Sequence, residues 1–339
     1  MVELFGRKLS RQEIREYMGS LDSAAGITRF QYDEGRSKGL SAVEMRTGTG
    51  FRFVVLPDRG LDIGLCEYRG IPLSYRAPLG ESHPSYFEAG ADNWLRNFGG
   101  GLLVTCGLSY LGEPVVDRGE KLGLHGRINN LPAYQVNTFK EWHDEKCRFK
   151  ISGKIRESKT LVSNLVMYRS ICTYAGENRI YLEDRVVNEG FKRQPHMILY
   201  HFNLGHPLLD NGTILKIDPV KTRQRDNYDL EEYYIYKGPD GDYPDTVFYH
   251  QLPEDRQGYC QALLVNKKLN LGFSLKFEKK NLPNFIQWKY TNRGFYVTGL
   301  EPANCLVEGR KKEREEGTLV FLEPGEEKIY RLEISVSQI

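Results

Sequence analysis

The first residues of the chain carry the pattern of a short amphipathic helix. Ser10 precedes Glu13 by three residues, the spacing of a capping box, in which each side chain bonds the backbone amide of the other. Apolar residues then recur at helical spacing: Ile14, Met18 and Leu21. We therefore expect a short N-terminal helical segment within residues 1–26.

Beyond this segment the pattern changes to the two-residue alternation of β-strands. Residues 42–46 and 51–56 alternate or run apolar on either side of the turn sequence 47–50, which predicts a hairpin. Similar segments follow at short intervals, at 134–136, 147–151, 166–174, 180–188, 262–265, 271–277 and 328–336. Many short strands with few helical windows predict an all-β protein built as a large β-sandwich. No linker or internal repeat divides the sequence, so we expect residues 1–339 to form a single domain.

Composition and charge give no indication of a nucleic-acid or membrane partner. The formal net charge of +2 gives no electrostatic reason to expect nucleic acid. The basic run at 309–316 is interleaved with acids, and we interpret it as a solvated loop. No apolar stretch approaches the ~20 residues of a membrane span, and the N-terminus lacks the apolar core of a signal peptide. We therefore expect a cytoplasmic protein with neither a membrane nor a nucleic-acid partner.

The cysteines and histidines do not form a metal-binding pattern. The six cysteines are scattered without a CxxC pair, which is typical of small buried hydrophobic residues in a cytosolic chain. His201 and His206 are close in sequence, but no acidic residue in a recognised ligand pattern lies near them. We expect no metal.

Two segments carry polar side chains in positions that suit a binding site. His125 and Arg127 flank a glycine and present an imidazole and a planar guanidinium, both able to bind sugar hydroxyls. A loop that holds polar residues for no special reason is the alternative. In the segment 198–207, strand alternation places His201 and Asn203 on one face, opposite Tyr200 and its apolar neighbours. A histidine satisfied within the core is the alternative there.

Two later segments complete the set. Alternation places Gln287 and Lys289 on one strand face and Trp288 on the other, which could also be an exposed polar face over a buried aromatic one. Glu301 ends an otherwise apolar strand just before Pro302. A carboxylate is costly there if it is buried and unpaired, so its pKa is expected to be raised. Such a group can act as an acid or a base near neutral pH.

The order of these segments resembles the galactose mutarotase (aldose 1-epimerase) superfamily, and within it an uncharacterised bacterial subgroup of aldose 1-epimerase-like proteins. The strings that carry the resemblance span nearly the whole chain: 57–64, 99–108, 124–127, 200–205 and 299–302. The resemblance implies a mutarotase-type β-supersandwich with a sugar cleft across one sheet. It also implies an isomerase of carbohydrate metabolism that needs no cofactor and epimerises an aldose or modified sugar at the anomeric carbon.

The resemblance assigns the two catalytic roles. Glu301 would take the proton of the anomeric hydroxyl, and His201 would protonate the ring oxygen, so that the ring opens, the C1–C2 bond rotates and the ring closes on the other face. In better-known mutarotases the acid histidine lies further before the aromatic-Asn-Leu string than His201 does. Two other histidines are therefore kept as alternatives: His196 and His206.

The resemblance also suggests residues that bind the sugar. His125 matches a second histidine of the family, and Gln287 matches a ligand of a sugar hydroxyl. Asn203 and Arg127 are added by their place in the motifs. An arginine that the family places early has two candidates here, Arg59 and Arg96. A sugar-binding aspartate has five, none of which the sequence selects: Asp218, Asp226, Asp229, Asp240 and Asp242.

The motif around Arg127 bears on the substrate. Mutarotases have a second glycine where this chain has Arg127, which suggests a modified or anionic sugar. Two other functions stay open on the same fold, namely a non-catalytic carbohydrate-binding protein and another sugar isomerase or lyase. The sequence determines neither the sugar nor the oligomeric state.

Overall fold

A computed structural model describes residues 1–226 and 232–339, most of which lie in β-strands. The first strands are β1 (Val2–Leu4), β2 (Arg7–Leu9), β3 (Gly26–Gln31), β4 (Ser41–Arg46), β5 (Phe51–Leu56), β6 (Asp62–Tyr68), β7 (Ile71–Pro72), β8 (Leu103–Leu108), β9 (Val115–Asp117), β10 (Glu120–Leu122), β11 (Tyr134–His143) and β12 (Lys146–Lys159). The later strands are β13 (Ser163–Tyr174), β14 (Arg179–Asn188), β15 (Gln194–Pro195), β16 (Met197–Gly205), β17 (Ile214–Lys216), β18 (Lys221–Gln224), β19 (Thr246–Gln251), β20 (Tyr259–Asn266), β21 (Leu271–Glu278), β22 (Asn284–Asn292), β23 (Phe295–Ala303), β24 (Phe321–Leu322) and β25 (Glu327–Gln338). The α-helices of the described residues are α1 (Arg11–Met18) and α2 (Arg310–Glu316).

The N-terminal helix α1 begins at the predicted capping box. The backbone amide of Glu13 donates to the Ser10 hydroxyl over 3.1 Å, and the backbone amide of Ser10 donates to the Glu13 carboxylate over 2.7 Å. These bonds satisfy two of the amides that a helix start leaves free. The helix buries Ile14, as its apolar spacing predicts. A small hairpin of β1 and β2 precedes it within residues 1–26.

Two large antiparallel sheets make up the body of the molecule. The eight-stranded sheet has the order β11-β12-β13-β14-β25-β21-β20-β17. The larger, eleven-stranded sheet has the order β18-β19-β22-β23-β16-β8-β6-β5-β4-β3, with β7 paired to β6. The predicted hairpin is confirmed as β4 and β5, with Val43 opposite Val55.

Strand alternation builds the core between the sheets. Along β12, Cys147, Phe149 and Ile151 are buried while the residues between them are more exposed, the two-residue period of a strand with one face covered. They belong to one buried cluster with Phe53 and Phe202 of the larger sheet. The predicted all-β sandwich is confirmed. Whether residues 1–339 fold as a single unit stays a prediction.

Strand β16 is buried along its whole length because both faces of the larger sheet are covered there. Tyr200 and Phe202 point into the core between the sheets. Met197 and Leu199 belong to a second apolar cluster on the opposite face of the larger sheet, together with Trp94 of the loop before β8. That face, turned away from the smaller sheet, carries the cleft described below.

The charged run 309–316 is not a solvated loop as interpreted from the sequence. It contains helix α2, whose Arg310 is buried and bonds Asp117 over 2.7 Å and Glu120 over 2.7 Å. Partners from β9 and β10 hold one side of this helix against the fold, while four of its residues remain exposed: Lys311, Lys312, Glu315 and Glu316. In the described part of the chain, no helix is long and apolar enough to cross a membrane.

A buried cluster of charges joins the two sheets behind β16. The Arg169 guanidinium donates to both carboxylate oxygens of Asp184, over 2.9 and 2.6 Å, and to Asp62 over 2.7 Å. It also donates to the Thr105 hydroxyl, and the Tyr200 hydroxyl donates to Asp184, each over 2.8 Å. Arg169 and Asp184 belong to the smaller sheet, and the other three residues belong to the larger one. The cluster therefore fixes how the sheets sit on each other.

Asp184→Ala is expected to destabilise the protein strongly, because it leaves the buried Arg169 without its main partner. Breaking one side of a buried ion pair costs about 3–5 kcal/mol. Glu183→Ala is the matched control, since this neighbour bonds Arg331 at the surface and an exposed pair contributes less than about 1 kcal/mol. Urea unfolding measures both changes. Equal losses in the two variants would contradict the role given to the cluster.

Candidate active site

A cleft of about 750 Å³ opens on the face of the larger sheet that is turned away from the smaller sheet. Its floor is formed by β16, β19, β22 and β23, and one wall by the loop that precedes β8. Glu301 and His201 lie in this floor. The structure thus brings the two predicted catalytic residues together.

The register of β16 and β23 places these two residues side by side. Leu199 pairs with Ala303 and Phe202 with Leu300, so positions 201 and 301 are directly opposite on neighbouring strands. Glu301 Oε1 lies 3.2 Å from His201 Nε2. The two residues are 2% and 4% exposed. Glu301 Oε1 and His201 Nδ1 have no hydrogen-bond partner, so both groups keep capacity for a ligand.

Burial shifts both groups toward their uncharged forms. Desolvation, with a smaller contribution from the Asp245 charge, raises the pKa of Glu301 well above its usual range. Desolvation, followed by the proximity of His125, lowers the pKa of His201 to about 3. The two opposite shifts have one main cause, because burial away from bulk water penalises charge of either sign. Both shifts favour a protonated carboxyl beside a neutral imidazole.

Gly299 makes room for this pair. It lies two residues before Glu301 on the same face of β23. A Cβ atom at Gly299 would lie 2.9 Å from His201 Cε1 and nearer still to Glu301 Oε1. The small residue in the predicted Gly-Leu-Glu string is therefore a spatial requirement of the pair.

His125 adds a second imidazole beside the pair. Its ring centroid lies 6.0 Å from that of His201 and 4.9 Å from Trp94, and its Nδ1 has no hydrogen-bond partner. Desolvation lowers the pKa of His125 to about 4. The neighbouring Gly126 has φ +82°, and a side chain there would overlap the backbone of Gly107. The glycine thus holds the tight turn that carries His125 to the cleft.

Aromatic rings that the sequence analysis did not select line the cleft. Trp94 stacks on Phe98 at 4.8 Å and Trp288 on Tyr290 at 6.0 Å. The rings of Phe98 and Trp288 also lie beside the His201 ring, with centroid distances of 5.8 and 5.5 Å. The sequence did offer one indication of Trp94, since a tryptophan among polar residues in the segment 93–97 is typical of a binding surface. Alternation did separate Trp288 from Gln287, but it could not tell which face bears the cleft.

Arg225 and Asp245 form the polar edge of the cleft, and both were missed. Arg225 donates to Asp226 over 3.0 Å, to Asp245 over 3.2 Å and to Glu113 over 3.3 Å. Asp245 also accepts a bond from Trp288 Nε1 over 2.5 Å. Neither residue lies in a motif, so no pattern in the sequence indicated them.

The wall that carries Trp94 is held by a network of amides. Trp94 Nε1 donates to Asn129 over 3.1 Å, and Asn130 donates to the same oxygen over 2.9 Å. Asn130 in turn accepts bonds from Asn97 over 2.7 Å and from Arg59 over 2.8 Å. Arg59 is buried in this network and does not line the cleft, so it supports the wall from behind.

Gln287 lies on the face opposite the cleft. Its amide nitrogen donates to the backbone of Tyr233 and to the Tyr236 hydroxyl, each over 2.8 Å, and its amide oxygen lies 3.0 Å from His250 Nε2. All of its hydrogen-bonding capacity is thus directed away from the floor of the cleft. The neighbouring Trp288 occupies the place that the resemblance gave to Gln287.

The remaining predicted ligands also lie outside the cleft lining. Arg127 is exposed and does not line the cleft. Its position therefore gives no structural reason to expect an anionic sugar. Arg96 is 68% exposed at its side chain and faces Glu88 at 3.8 Å. Asn203 is buried next to His201, where its amide donates to the backbone carbonyls of Gly101 and His201. It supports the strand rather than facing the cleft.

The alternative histidines and aspartates are placed elsewhere. His196 is buried between the Leu108 carbonyl and the Tyr330 hydroxyl, and His206 is exposed. Of the three candidate acids, only His201 lines the cleft. Four of the candidate aspartates are described and do not line it: Asp218, Asp226, Asp240 and Asp242. Asp229 lies outside the described residues.

Comparison of the sequence with family models gives one match that covers most of the chain. The model described as "Domain of unknown function (DUF4432)" matches residues 37–336. A comparison with curated proteins finds no match.

Several solved structures have a similar fold. A "putative aldose 1-epimerase" from Klebsiella pneumoniae aligns with a TM-score of 0.87 at 24% identity, over 94% of this chain and 88% of its own. A galactose mutarotase-like protein from Clostridium acetobutylicum has a TM-score of 0.66 at 12% identity, over 94% and 100%. A galactose 1-epimerase from Lactobacillus acidophilus has 0.59 at 14%, over 93% and 99%. The predicted resemblance to mutarotase-type proteins is confirmed for the fold.

Glu301→Gln is expected to stabilise the protein increasingly as the pH rises. Because the pKa of this carboxyl is raised by burial, the folded protein retains a proton that the unfolded chain has released. The carboxyl's full contribution to stability is therefore present only below its ordinary pKa and is lost toward the raised one. Melting temperatures from about pH 5 to about pH 8 should show a growing advantage of the variant. An advantage that shrinks over this range would contradict the burial effect.

Proposed function

The chain belongs to the family described as a domain of unknown function (DUF4432), and from the pair in its cleft we propose that it is an isomerase that epimerises a sugar at the anomeric carbon. The observation that carries the proposal is the 3.2 Å contact between Glu301 Oε1 and His201 Nε2 on a buried floor. Mutarotase-type neighbours support it through the fold alone.

Ring opening needs two proton transfers, one at each of the two oxygens bonded to the anomeric carbon. An anomeric carbon bears a hydroxyl oxygen and the ring oxygen, so a proton must leave one as another arrives at the other. Two adjacent groups, one able to donate and one able to accept, meet this need. Glu301 and His201 are adjacent, are held by neighbouring strands and face the same cleft, which supports their roles as the catalytic acid and base.

The residue that carries a proton before the reaction suggests which member of the pair acts as the acid and which as the base. Burial favours a protonated Glu301 and a neutral His201. In the proposed first step His201 accepts the proton of the anomeric hydroxyl while Glu301 protonates the ring oxygen, and the C1–O5 bond breaks. After rotation about C1–C2, Glu301 takes the proton back as the ring oxygen attacks, and His201 protonates the carbonyl oxygen. This order is the reverse of the roles that the resemblance implies, and it leaves both groups as they began.

His125 is proposed to bind the sugar beside the pair. Its unpartnered Nδ1 and its position against His201 and Trp94 suit a hydrogen bond to a hydroxyl next to the reacting carbon. The aromatic rings of the walls would pack against the apolar C–H faces of the sugar. Gln287, Arg127, Arg59 and Arg96 are left out of the proposed contacts, since none lines the cleft.

Glu301→Gln should lower kcat/KM for anomeric exchange by about 10²–10⁴-fold, because it removes one of the two proton-transferring groups without changing the shape of the site. Saturation-transfer NMR over a panel of aldoses measures the exchange. Sugar binding should persist, which the fluorescence of the cleft tryptophans can report.

The matched controls are two histidine variants. His201→Asn is expected to lose exchange like Glu301→Gln, whereas His206→Asn should keep it, since His206 is exposed and outside the cleft. Binding without any exchange in the wild type would favour a carbohydrate-binding protein instead. A Glu301→Gln protein with wild-type exchange would remove Glu301 from the mechanism.

Gly299→Ala should also lower exchange, by about 10²-fold, because the added methyl group displaces the Glu301 carboxyl from His201. Gly238→Ala is the control, as a Cβ atom there meets nothing within 4 Å and the backbone needs no positive φ. The NMR assay compares the two variants after their folding is checked by circular dichroism. Unchanged exchange in Gly299→Ala would show that the close contact of the pair is not needed.

A further inference from the structure

The walls of the cleft indicate the class of sugar that fits it. We propose that the substrate is an uncharged reducing sugar that carries an apolar substituent, such as an acyl chain, remote from its anomeric carbon. This inference rests on the function proposed above and adds to it the chemistry of the part of the substrate that does not react.

Several polar groups that line the described cleft are already hydrogen-bonded within the protein. Trp94 Nε1 is bonded to Asn129, and Trp288 Nε1 is bonded to Asp245. The Arg225 guanidinium is bonded to three carboxylates. A sugar hydroxyl buried against these paired groups would lose its bonds to water without replacement, which is costly. A ligand that is apolar along part of its length avoids this cost.

Apolar surface instead runs outward from the reacting pair. Phe98 and Trp288 touch the His201 ring at the floor. At the edge of the same cleft, Leu95 is 51% and Phe295 is 48% exposed. Exposed apolar surface that continues from a concave, apolar site offers an area that a ligand can cover. The cleft, at about 750 Å³, lies in the range that encloses drug-sized ligands. We infer that a sugar ring reaches the pair while its substituent covers Leu95 and Phe295.

The charge of the cleft excludes acidic sugars from this class. Asp92, Glu113 and Asp245 line it, and the cation among its described lining residues, Arg225, is already paired with carboxylates. A carboxylate or sulfate on the sugar would meet this negative edge without a free cation. An uncharged substituent meets no such repulsion.

A series of sugars that differ only in acyl length tests the inference on the full-length protein. 4-O-acetyl-, 4-O-butanoyl- and 4-O-hexanoylglucose share a free anomeric carbon, and 6-O-acyl glucoses place the same chains on the exocyclic carbon. Each methylene that is fully buried should improve kcat/KM about four-fold. We expect a gain on the order of tenfold or more along one of the two series, since the mouth is partly open. Glucuronic acid should exchange more slowly than glucose.

Rim variants locate the effect. Leu95→Gln and Phe295→Gln should reduce the ratio of kcat/KM between the longest and shortest chains by at least about five-fold, because a polar side chain gives less apolar contact. Phe191→Gln is the control, as Phe191 is exposed but does not line the cleft. A flat dependence on chain length in both series, or a preference for glucuronic acid over glucose, would overturn the inference.

A binding measurement separates this inference from the proposed function. Tryptophan fluorescence gives the Kd of each sugar whether or not it is turned over. If the Kd falls with chain length but no sugar is exchanged, the epimerase proposal fails and the assignment of the ligand class stands. If exchange is catalysed equally for every chain length and the Kd values are also equal, the ligand class fails and the epimerase proposal stands.

Discussion

The arrangement of the site depends on the buried hydrogen bonds and ion pairs of the Arg169 guanidinium. A charge between two sheets is very costly unless its donors are satisfied. Here they reach Asp184 on the smaller sheet and Asp62 and Thr105 on the larger one. Tyr200 of β16 joins through Asp184. Since His201 follows Tyr200 on the other face of β16, a cluster in the core determines where the imidazole stands in the cleft.

Burial, which strengthens the interactions of this cluster, also shifts the ionisation of the side chains in the cleft. Glu301 and His201 are pushed toward uncharged forms because both lie on a floor covered by aromatic rings. Antiparallel register then sets them opposite each other, and Gly299 leaves the space that they need. Packing, register and the ionisation of the pair are therefore linked through one pair of strands, and a change in any of them alters the geometry of Glu301 and His201.

The motifs around the cleft divide into those that face it and those that hold it. His125 reaches the cleft, while Arg59 and the asparagines 129 and 130 fasten the wall that bears Trp94. This division explains why some residues of the predicted motifs line the cleft while others lie outside it. The loop wall must be held rigidly if its apolar surface is to select one ligand, and a network of amide hydrogen bonds provides that rigidity.

The sequence by itself determined the β-strand architecture, the capped N-terminal helix and the choice of Glu301 and His201 as candidate catalytic residues. Period-two alternation depends only on neighbouring residues, so the strands, the capped helix and the separation of His201 from Tyr200 followed from it. Glu301 could be selected from the sequence because burying an unpaired carboxylate in an apolar strand costs folding free energy. Tertiary structure decided the rest. Alternation gives relative faces but not which face bears a cleft, so Trp288 lines the site where Gln287 was expected.

Only the tertiary structure showed that Arg96 and Arg127 are exposed and that Arg225 and Asp245 line the cleft. Loops distant in sequence meet at the cleft, and the contacts between Arg225, Asp245 and Glu113 join three such segments. No local pattern records a contact of that kind, because it exists only once the sheets have packed and brought the loops to one edge.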